Sequence, residues 1–391
     1  MKYCVLGAGL MGKAAAYDLL HQHDTTSLML VDSNKSKLVD ATDFLSDNRL
    51  ITIQCNVEDL STIESILKDS NAAIAAIHYK FNEAFTKAAI KAKTHLCDLG
   101  GNDSVVDAQL KLDLQAKEAG ITIIPDCGLA PGLVAVLVKW GLEEFSWADT
   151  VKIRVGGLPQ NPLNSLKYER LFSVDGLINE YIEPVRILQD GEIKTIEPLT
   201  DIETIEFPLP FGKLEAFTTS GGASTLIDTY KNRLRNLDYK TIRYPGHASI
   251  MRSFYELGFF SNEAITNATN KTSYKPRDVA AFLLEKNIPL CTNDAVLVKI
   301  IFQGGSKKHE LTIIDKSTDY PLLTAMMRTT AFPASIIASM LARGDIKKTG
   351  VLPQEECIPT ELFIAELEKR NIRISGLTQN RLRGVDFTRS S

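Results

Sequence analysis

Apolar and polar positions alternate in blocks along the first third of the chain. Short apolar runs occupy 3–6, 28–32, 51–55, 73–77, 95–98 and 121–125. Between them, 10–22, 35–45, 60–68, 81–93 and 107–118 carry helix-like patterns. This alternation predicts an α/β fold: a doubly wound parallel (Rossmann) sheet of six strands with helices between them. Right-handed crossovers give the strand order 3-2-1-4-5-6 and put the ligand crevice at the carboxyl ends of the strands. The residues to watch are therefore 7–12, Asp32, 56–57, His78, Tyr79, 98–102 and 126–132.

The segment CGLAPGL (127–133) interrupts the pattern and reads as a domain crossing, with a helix-like run to about Glu144 after it. From about 150 the texture changes. VKIRVGGLP, IEPVRIL, EAFTTSGG, TIRYPGH and NDAVLVKIIFQG read as longer strands with period-2 stretches, and helices are fewer, around 222–235 and 277–286. These features predict a second α+β domain built on a mixed or antiparallel sheet. TAMMRTTAFPASIIASMLARGDI and ELFIAELEKRNI form two amphipathic helices, and residues 383–391 are polar and expected to fray. The expected division is a nucleotide domain over 1–127, with helices from about 320–380 packing back on it, and a substrate-binding and oligomerisation domain over 128–319.

Composition narrows the function. The 391 residues, 44% hydrophobic and 24% charged, suit two globular domains. A net charge of −4 offers no electrostatic case for nucleic acid or an anionic membrane as partner. No apolar run approaches the roughly 20 residues of a membrane span. Met1 leads straight into the first strand, so no signal peptide is expected and the location expected is cytoplasmic. Cys4, Cys55, Cys97, Cys127, Cys291 and Cys357 are scattered without a CxxC, as in a reducing compartment. The six histidines show no ligand spacing, so no metal is expected.

The sharpest motif is KYCVLGAGLMG at 2–12. Gly7 permits the tight turn, Gly9 lets the backbone approach a pyrophosphate, and Gly12 lets the helix pack on the strand. Leu10 and Met11 open that helix, whose free N–H groups and dipole suit phosphate. Asp32 ends the second apolar run about 20 residues later, placed to accept from the adenosine ribose hydroxyls. A 2′-phosphate would face that carboxylate, so NAD is the expected cofactor. Val57, His78 and Gly100, at later strand ends, complete the expected cofactor-binding set.

GAGLMG, DLGGN (98–102), PDCGLAPG (125–132), VGGLPQNP (155–162), FSVDGLINEY (172–181), TTSGG (218–222) and TIRYPGH (241–247) together resemble the saccharopine dehydrogenase family, most closely its lysine 6-dehydrogenase branch. The resemblance covers nearly the whole chain. It implies NAD-dependent oxidation of the ε-amine of L-lysine to allysine, with release of ammonia and cyclisation of the aldehyde to piperideine carboxylate. It also implies a homo-oligomer.

Such a reaction needs a base near neutral pKa and a cation for the substrate carboxylate. Arg243, in the strand-like TIRYPG, is the expected carboxylate anchor, and the resemblance places this motif at the cleft. His247 has the side chain suited to proton transfer. The resemblance supports a site role for Tyr79, which is expected to hydrogen-bond the amine or pack on the nicotinamide. Asp98 is a third catalytic candidate, and Asp126 and Asp175 are expected to hold substrate ammonium groups. Cys127 is read as a small packing residue, and Met326, Met327 and Met340 as core. Two other functions fit the scaffold. One is reductive condensation of an amine with a carbonyl compound, for which Arg154, Arg170 and Arg186 are spare cations for a second anion site. The other is a cofactor-binding regulator without turnover.

Overall fold

The computed structural model describes residues 1–266 and 272–377. The tail expected to fray, 383–391, lies outside the described residues. The first strands follow the alternation closely: β1 (Lys2–Leu6), β2 (Ser27–Asp32), β3 (Leu50–Gln54), β4 (Ala72–Ala75), β5 (His95–Asp98) and β6 (Thr122–Ile124). Side chains of the inner strands are buried on both faces, which is why those runs are continuously apolar, whereas the edge strand β3 is largely exposed. Leu6, Ile74, Leu96 and Ile123 are all fully buried.

The second part of the chain supplies β7 (Thr150–Pro159), β8 (Val185–Gln189), β9 (Glu192–Ile196), β10 (Glu203–Phe207), β11 (Gly212–Thr218) and β12 (Asn236–Arg243). A small hairpin of β13 (Ile265–Thr266) and β14 (Ser273–Tyr274) precedes β15 (Asp294–Gly304) and β16 (Lys307–Lys316). The last strand is β17 (Gly350–Val351).

The chain divides into two compact units. The first comprises Met1–Ser146, Ser224–Leu226 and the chain from Met327; the second comprises Trp147–Ala223 and Ile227–Met326. The first unit holds an all-parallel sheet in the order β17-β6-β5-β4-β1-β2-β3. This is the expected order with one strand added outside β6. The helix Leu133–Glu144 and the segments beyond Met327 belong to this unit, so its compact body runs past the expected boundary at 127.

One helix of the first unit differs from expectation. The stretch 107–118 is broken into Asp103–Leu110 and Asp113–Ala119. The break puts Asp113 at a helix start, where its Oδ1 accepts the Val351 N–H of β17 at 3.1 Å.

The second unit is built on a mixed sheet in the order β10-β11-β12-β7-β15-β16, with β8 and β9 branching from β12. Only β12 with β7 is a parallel pair; the others are antiparallel. The helix expected around 222–235 is reduced to Leu226–Tyr230. Asp294, fully buried, closes one end of β15 by accepting the Ala325 and Met326 N–H groups at 2.6 and 2.8 Å.

Candidate active site

The first unit presents a nucleotide cradle. Gly7 takes a φ of 107°, and its N–H donates to Val31 O at 2.7 Å. The helix Leu10–Leu20 starts at Gly9 with no side-chain cap, leaving the Leu10 and Met11 end of the helix without a side-chain acceptor. A Cβ on Gly12 would lie 1.8 Å from Gly7 O, so close packing dictates glycine there. A Cβ on Gly9 would meet nothing within 4 Å. The protein's own packing does not demand glycine at 9, whereas a closely seated diphosphate does.

Asp32 closes this cradle. Its Oδ2 accepts the Ala8 N–H and its Oδ1 the Asn34 N–H, each at 2.8 Å. The carboxylate is thereby fixed beside the glycine turn, and each oxygen keeps a further lone pair for a ribose hydroxyl. Val57 is half-buried against the core of this unit. These residues fit a dinucleotide.

The turns after β4, β5 and β6 interlock. His78 Nδ1 accepts the Lys80 N–H at 3.2 Å, and the His78 and Tyr79 rings lie 4.3 Å apart. Tyr79 covers Gly101, where a Cβ would fall 2.8 Å from its Cδ1. Asp98 is fully buried and accepts three N–H groups: Gly100 at 2.8 Å and Asp126 at 3.1 Å on Oδ1, and Gln109 Nε2 at 2.8 Å on Oδ2. Burial raises its carboxyl above the usual range. This corrects the catalytic expectation for Asp98: a solvent-excluded carboxyl held by three donors ties two turns together and is closed to a substrate.

Asp126, expected to hold a substrate ammonium, is closed from solvent. It is 3% exposed with a φ of 63°. Ser224 donates to its Oδ2, and its Oδ1 is buried without a partner against Gly100. Burial first, then the Asp98 charge, hold its carboxyl well above the usual range. Cys127 is fully buried, and burial raises its thiol, as fits a packing residue.

The second unit presents a buried cation. β12 ends at Arg243, whose side chain is 3% exposed. Its Nη1 donates to Ile242 O at 3.0 Å, its guanidinium carbon lies 5.1 Å from the Tyr168 ring centroid, and Glu180 Oε2 is 3.9 Å from Nη2. Its Nε is buried without a hydrogen-bond partner. Burial opposes the charge, but Tyr181, Tyr168 and Glu180 outweigh it, so the guanidinium stays ionised.

His247 stands next to this cation and is locked. Its Nδ1 donates to Leu166 O at 3.0 Å, so its Nε2 accepts from the Tyr181 hydroxyl at 2.9 Å. Tyr168, Tyr181 and Phe217 surround the ring. Its helix, His247–Glu256, is capped by Glu215, which accepts the Gly246 and Ala248 N–H groups at 2.9 and 2.7 Å. Burial, then Arg243, lowers the imidazole to about 3. The expected general base is therefore a neutral positioning residue that aims Tyr181.

A pH test follows from this lock. An unfolded histidine binds its proton near 6.5. Stability from keeping His247 neutral is complete above that pH and is lost as pH falls toward 3. Denaturant midpoints of the parent should therefore drop more steeply from about pH 7 to about pH 4.5 than those of His247→Gln. Equal slopes would show that the ring takes up no proton on unfolding.

Other sequence candidates lie elsewhere. Asp175, expected to hold a substrate ammonium, sits exposed in the first turn of the helix Val174–Ile182, 3.6 Å from Arg277, and Ser173 caps that helix. The three spare cations are all committed. Arg154, 1% exposed, pairs with Glu203 and with Asp238 at 2.8 Å. Arg170 donates to Ile288 O at 2.8 Å and pairs with Glu285 at 3.4 Å. Arg186 pairs with Asp228 at 2.8 Å. Glu180, Tyr168 and Tyr181 join Arg243 without having been singled out from sequence. Among the described residues no cluster of His, Cys, Asp or Glu could hold a metal, and no helix is long and apolar enough to cross a membrane.

A nucleotide cradle on a parallel sheet, with a second unit on a mixed sheet, defines a Rossmann-type dinucleotide-binding protein. Residues 3–124 match the saccharopine dehydrogenase NADP binding domain and residues 128–372 the saccharopine dehydrogenase C-terminal domain. The chain belongs to the saccharopine dehydrogenase family. It is 25% identical over 222 residues to saccharopine dehydrogenase [NADP(+), L-glutamate-forming] of Pyricularia oryzae, covering 54% of this chain and 48% of that protein. It thus spans about half the length of that relative. It is 22% identical to carboxyaminopropylagmatine dehydrogenase of a Synechocystis species, covering 94% of this chain and 95% of that one. The fold is that of apo saccharopine dehydrogenase from Saccharomyces cerevisiae, with a TM-score of 0.74 at 17% identity over 96% of this chain and 100% of the other.

Proposed function

We propose that the protein is an NAD-dependent amine dehydrogenase that oxidises the ε-amine of L-lysine. The observation that carries this reading is Arg243: a buried, ionised guanidinium with an unpartnered Nε in the unit that does not hold the nucleotide cradle. Such a group suits one carboxylate. A nicotinamide held by the nucleotide cradle would supply a hydride acceptor. Loss of a proton from the ε-ammonium to water and of a hydride from Cε would give an iminium, which water would convert to aldehyde and ammonium. The 7–12 turn, Leu10, Met11 and Asp32 hold the dinucleotide. Val57, His78 and Gly100 complete its surroundings, and Tyr79 orients the reacting amine. Asp98 and His247 position their neighbours.

The relatives named for saccharopine and carboxyaminopropylagmatine favour a second reading, reductive joining of an amine to a carbonyl compound. That reaction calls for a second anion site, and Arg154, Arg170 and Arg186 are each engaged in ion pairs. The cofactor read here is NAD rather than the NADP in the name of the Pyricularia relative, on the strength of Asp32, whose charge opposes a 2′-phosphate. The working form is expected to be a homo-oligomer.

The test is a panel of amines and amino acids with NAD and NADP, followed at the NAD(P)H absorbance. L-lysine with NAD should give the largest signal, and Asp32→Ser should narrow the NAD preference by roughly tenfold, about 1.4 kcal/mol. Absence of lysine oxidation, with amine-dependent consumption of NADPH and an aldehyde, would move the assignment to the second reading.

A further inference from the structure

We propose that Glu180 and Arg243 form a clamp for the α-ammonium and α-carboxylate of an amino acid, so that the substrate must be an α-amino acid carrying its reacting amine at the far end of its side chain. This rests on the reading of Arg243 as the carboxylate anchor and adds the partner that recognises the other half of the head group.

The two charges stand 3.9 Å apart at Nη2 and Oε2, too far for a hydrogen bond, so neither satisfies the other. An α-amino acid carries its ammonium and carboxylate on one carbon. It needs opposite charges side by side rather than fused into a bidentate pair. Arg243 cannot swing away, because Ile242 O and the Tyr168 ring hold it from the protein side. Glu180 is fixed through its backbone: its carbonyl accepts the Ser220 N–H at 3.1 Å, and the neighbouring Asn179 O accepts Ser220 Oγ at 3.2 Å.

The Glu180 carboxylate accepts no hydrogen bond among the described residues, and its side chain keeps 30% exposure beside an almost closed arginine. The other acids on these elements are committed: Glu215 to the Gly246 and Ala248 N–H groups, Asp175 to Arg277. Tyr181 donates to His247 and its hydroxyl also supports the Arg243 guanidinium from the protein side. Burial holds the Glu180 carboxyl up to about 7, with Arg243 pulling it down, so a bound ammonium would complete its ionisation.

The experiment compares L-lysine with 6-aminohexanoate, which keeps the chain length and carboxylate but lacks the α-ammonium. Glu180→Gln should raise KM for L-lysine roughly 10- to 100-fold, leave kcat near the parent value and barely change 6-aminohexanoate. Glu180→Asp should recover part of the lysine loss. An unchanged KM for lysine, or an equal fall of kcat on both amines, would overturn the clamp, the latter assigning Glu180 to proton transfer.

If the parent oxidises no lysine, the reading beneath has failed, and the clamp is judged by calorimetry with L-norleucine, which has the head group and no distal amine. Binding to the parent with NAD and none to Glu180→Gln supports it. Equal binding, or none to either protein, overturns it.

Discussion

Alanine in place of Arg243 should leave NAD binding at the parent level and cut kcat/KM for L-lysine by roughly 10³-fold, about 4 kcal/mol of transition-state stabilisation. The size follows from what is lost: a charge-assisted contact in a site already shielded from water, where each such hydrogen bond contributes about 1.5–3 kcal/mol. Most of the loss should appear in KM. Arg243→Lys should recover little, because an ammonium cannot both donate to Ile242 O and present a flat fork from the Tyr168 face. Steady-state kinetics with NADH titration checks both halves. If Arg243→Ala oxidises lysine like the parent, the guanidinium holds the end of β12 rather than a substrate.

The second large effect separates two glycines of one motif. Gly12→Ala pushes a methyl carbon to 1.8 Å from Gly7 O, so the β1 turn and its helix must move apart. Overpacking of this kind costs about 1–3 kcal/mol, and it distorts the turn that receives the diphosphate. Both thermal midpoint and NAD affinity should fall. Gly9→Ala meets no protein atom within 4 Å. Its midpoint without cofactor should match the parent, while affinity falls roughly 100-fold because the new carbon stands where the ligand must approach. Parallel melting curves and NADH fluorescence titrations distinguish them. Unchanged affinity in Gly9→Ala would remove the diphosphate from this turn.

The nucleotide sheet was legible because its evidence is local and repeated. Each strand is a short apolar block, and crossover handedness orders them. β17 was not legible, since the two residues of Gly350–Val351 carry no period and pair only because Asp113 and the edge of β6 receive them. In the site, glycine positions and Asp32 follow from a spacing with a mechanical cause. His247 misled, because imidazole chemistry depends on burial, and neither the Leu166 carbonyl nor the Tyr181 hydroxyl is near it in sequence. The same holds for Asp98, where three donors from three segments converge. Tyr181 could have been found: Val174, Leu177, Ile178 and Tyr181 mark one helical face. Glu180 sits beside that face, where a charged residue ordinarily reads as solvated.

The nucleotide-binding unit is assembled from segments on either side of the second unit in sequence. Asp18, in its first helix, is 4% exposed and meets Arg370 Nε at 2.7 Å, while Arg370 also pairs with Glu366 at 2.6 Å. The outermost strand of its sheet, β17, likewise comes from beyond residue 340. During synthesis this unit is therefore begun before the intervening one and finished after it. Until Arg370 leaves the ribosome, Asp18 lacks its counter-charge and β6 remains an open sheet edge. The intervening unit has all its strands by Lys316 and can settle while its elder neighbour still waits for the closing segment.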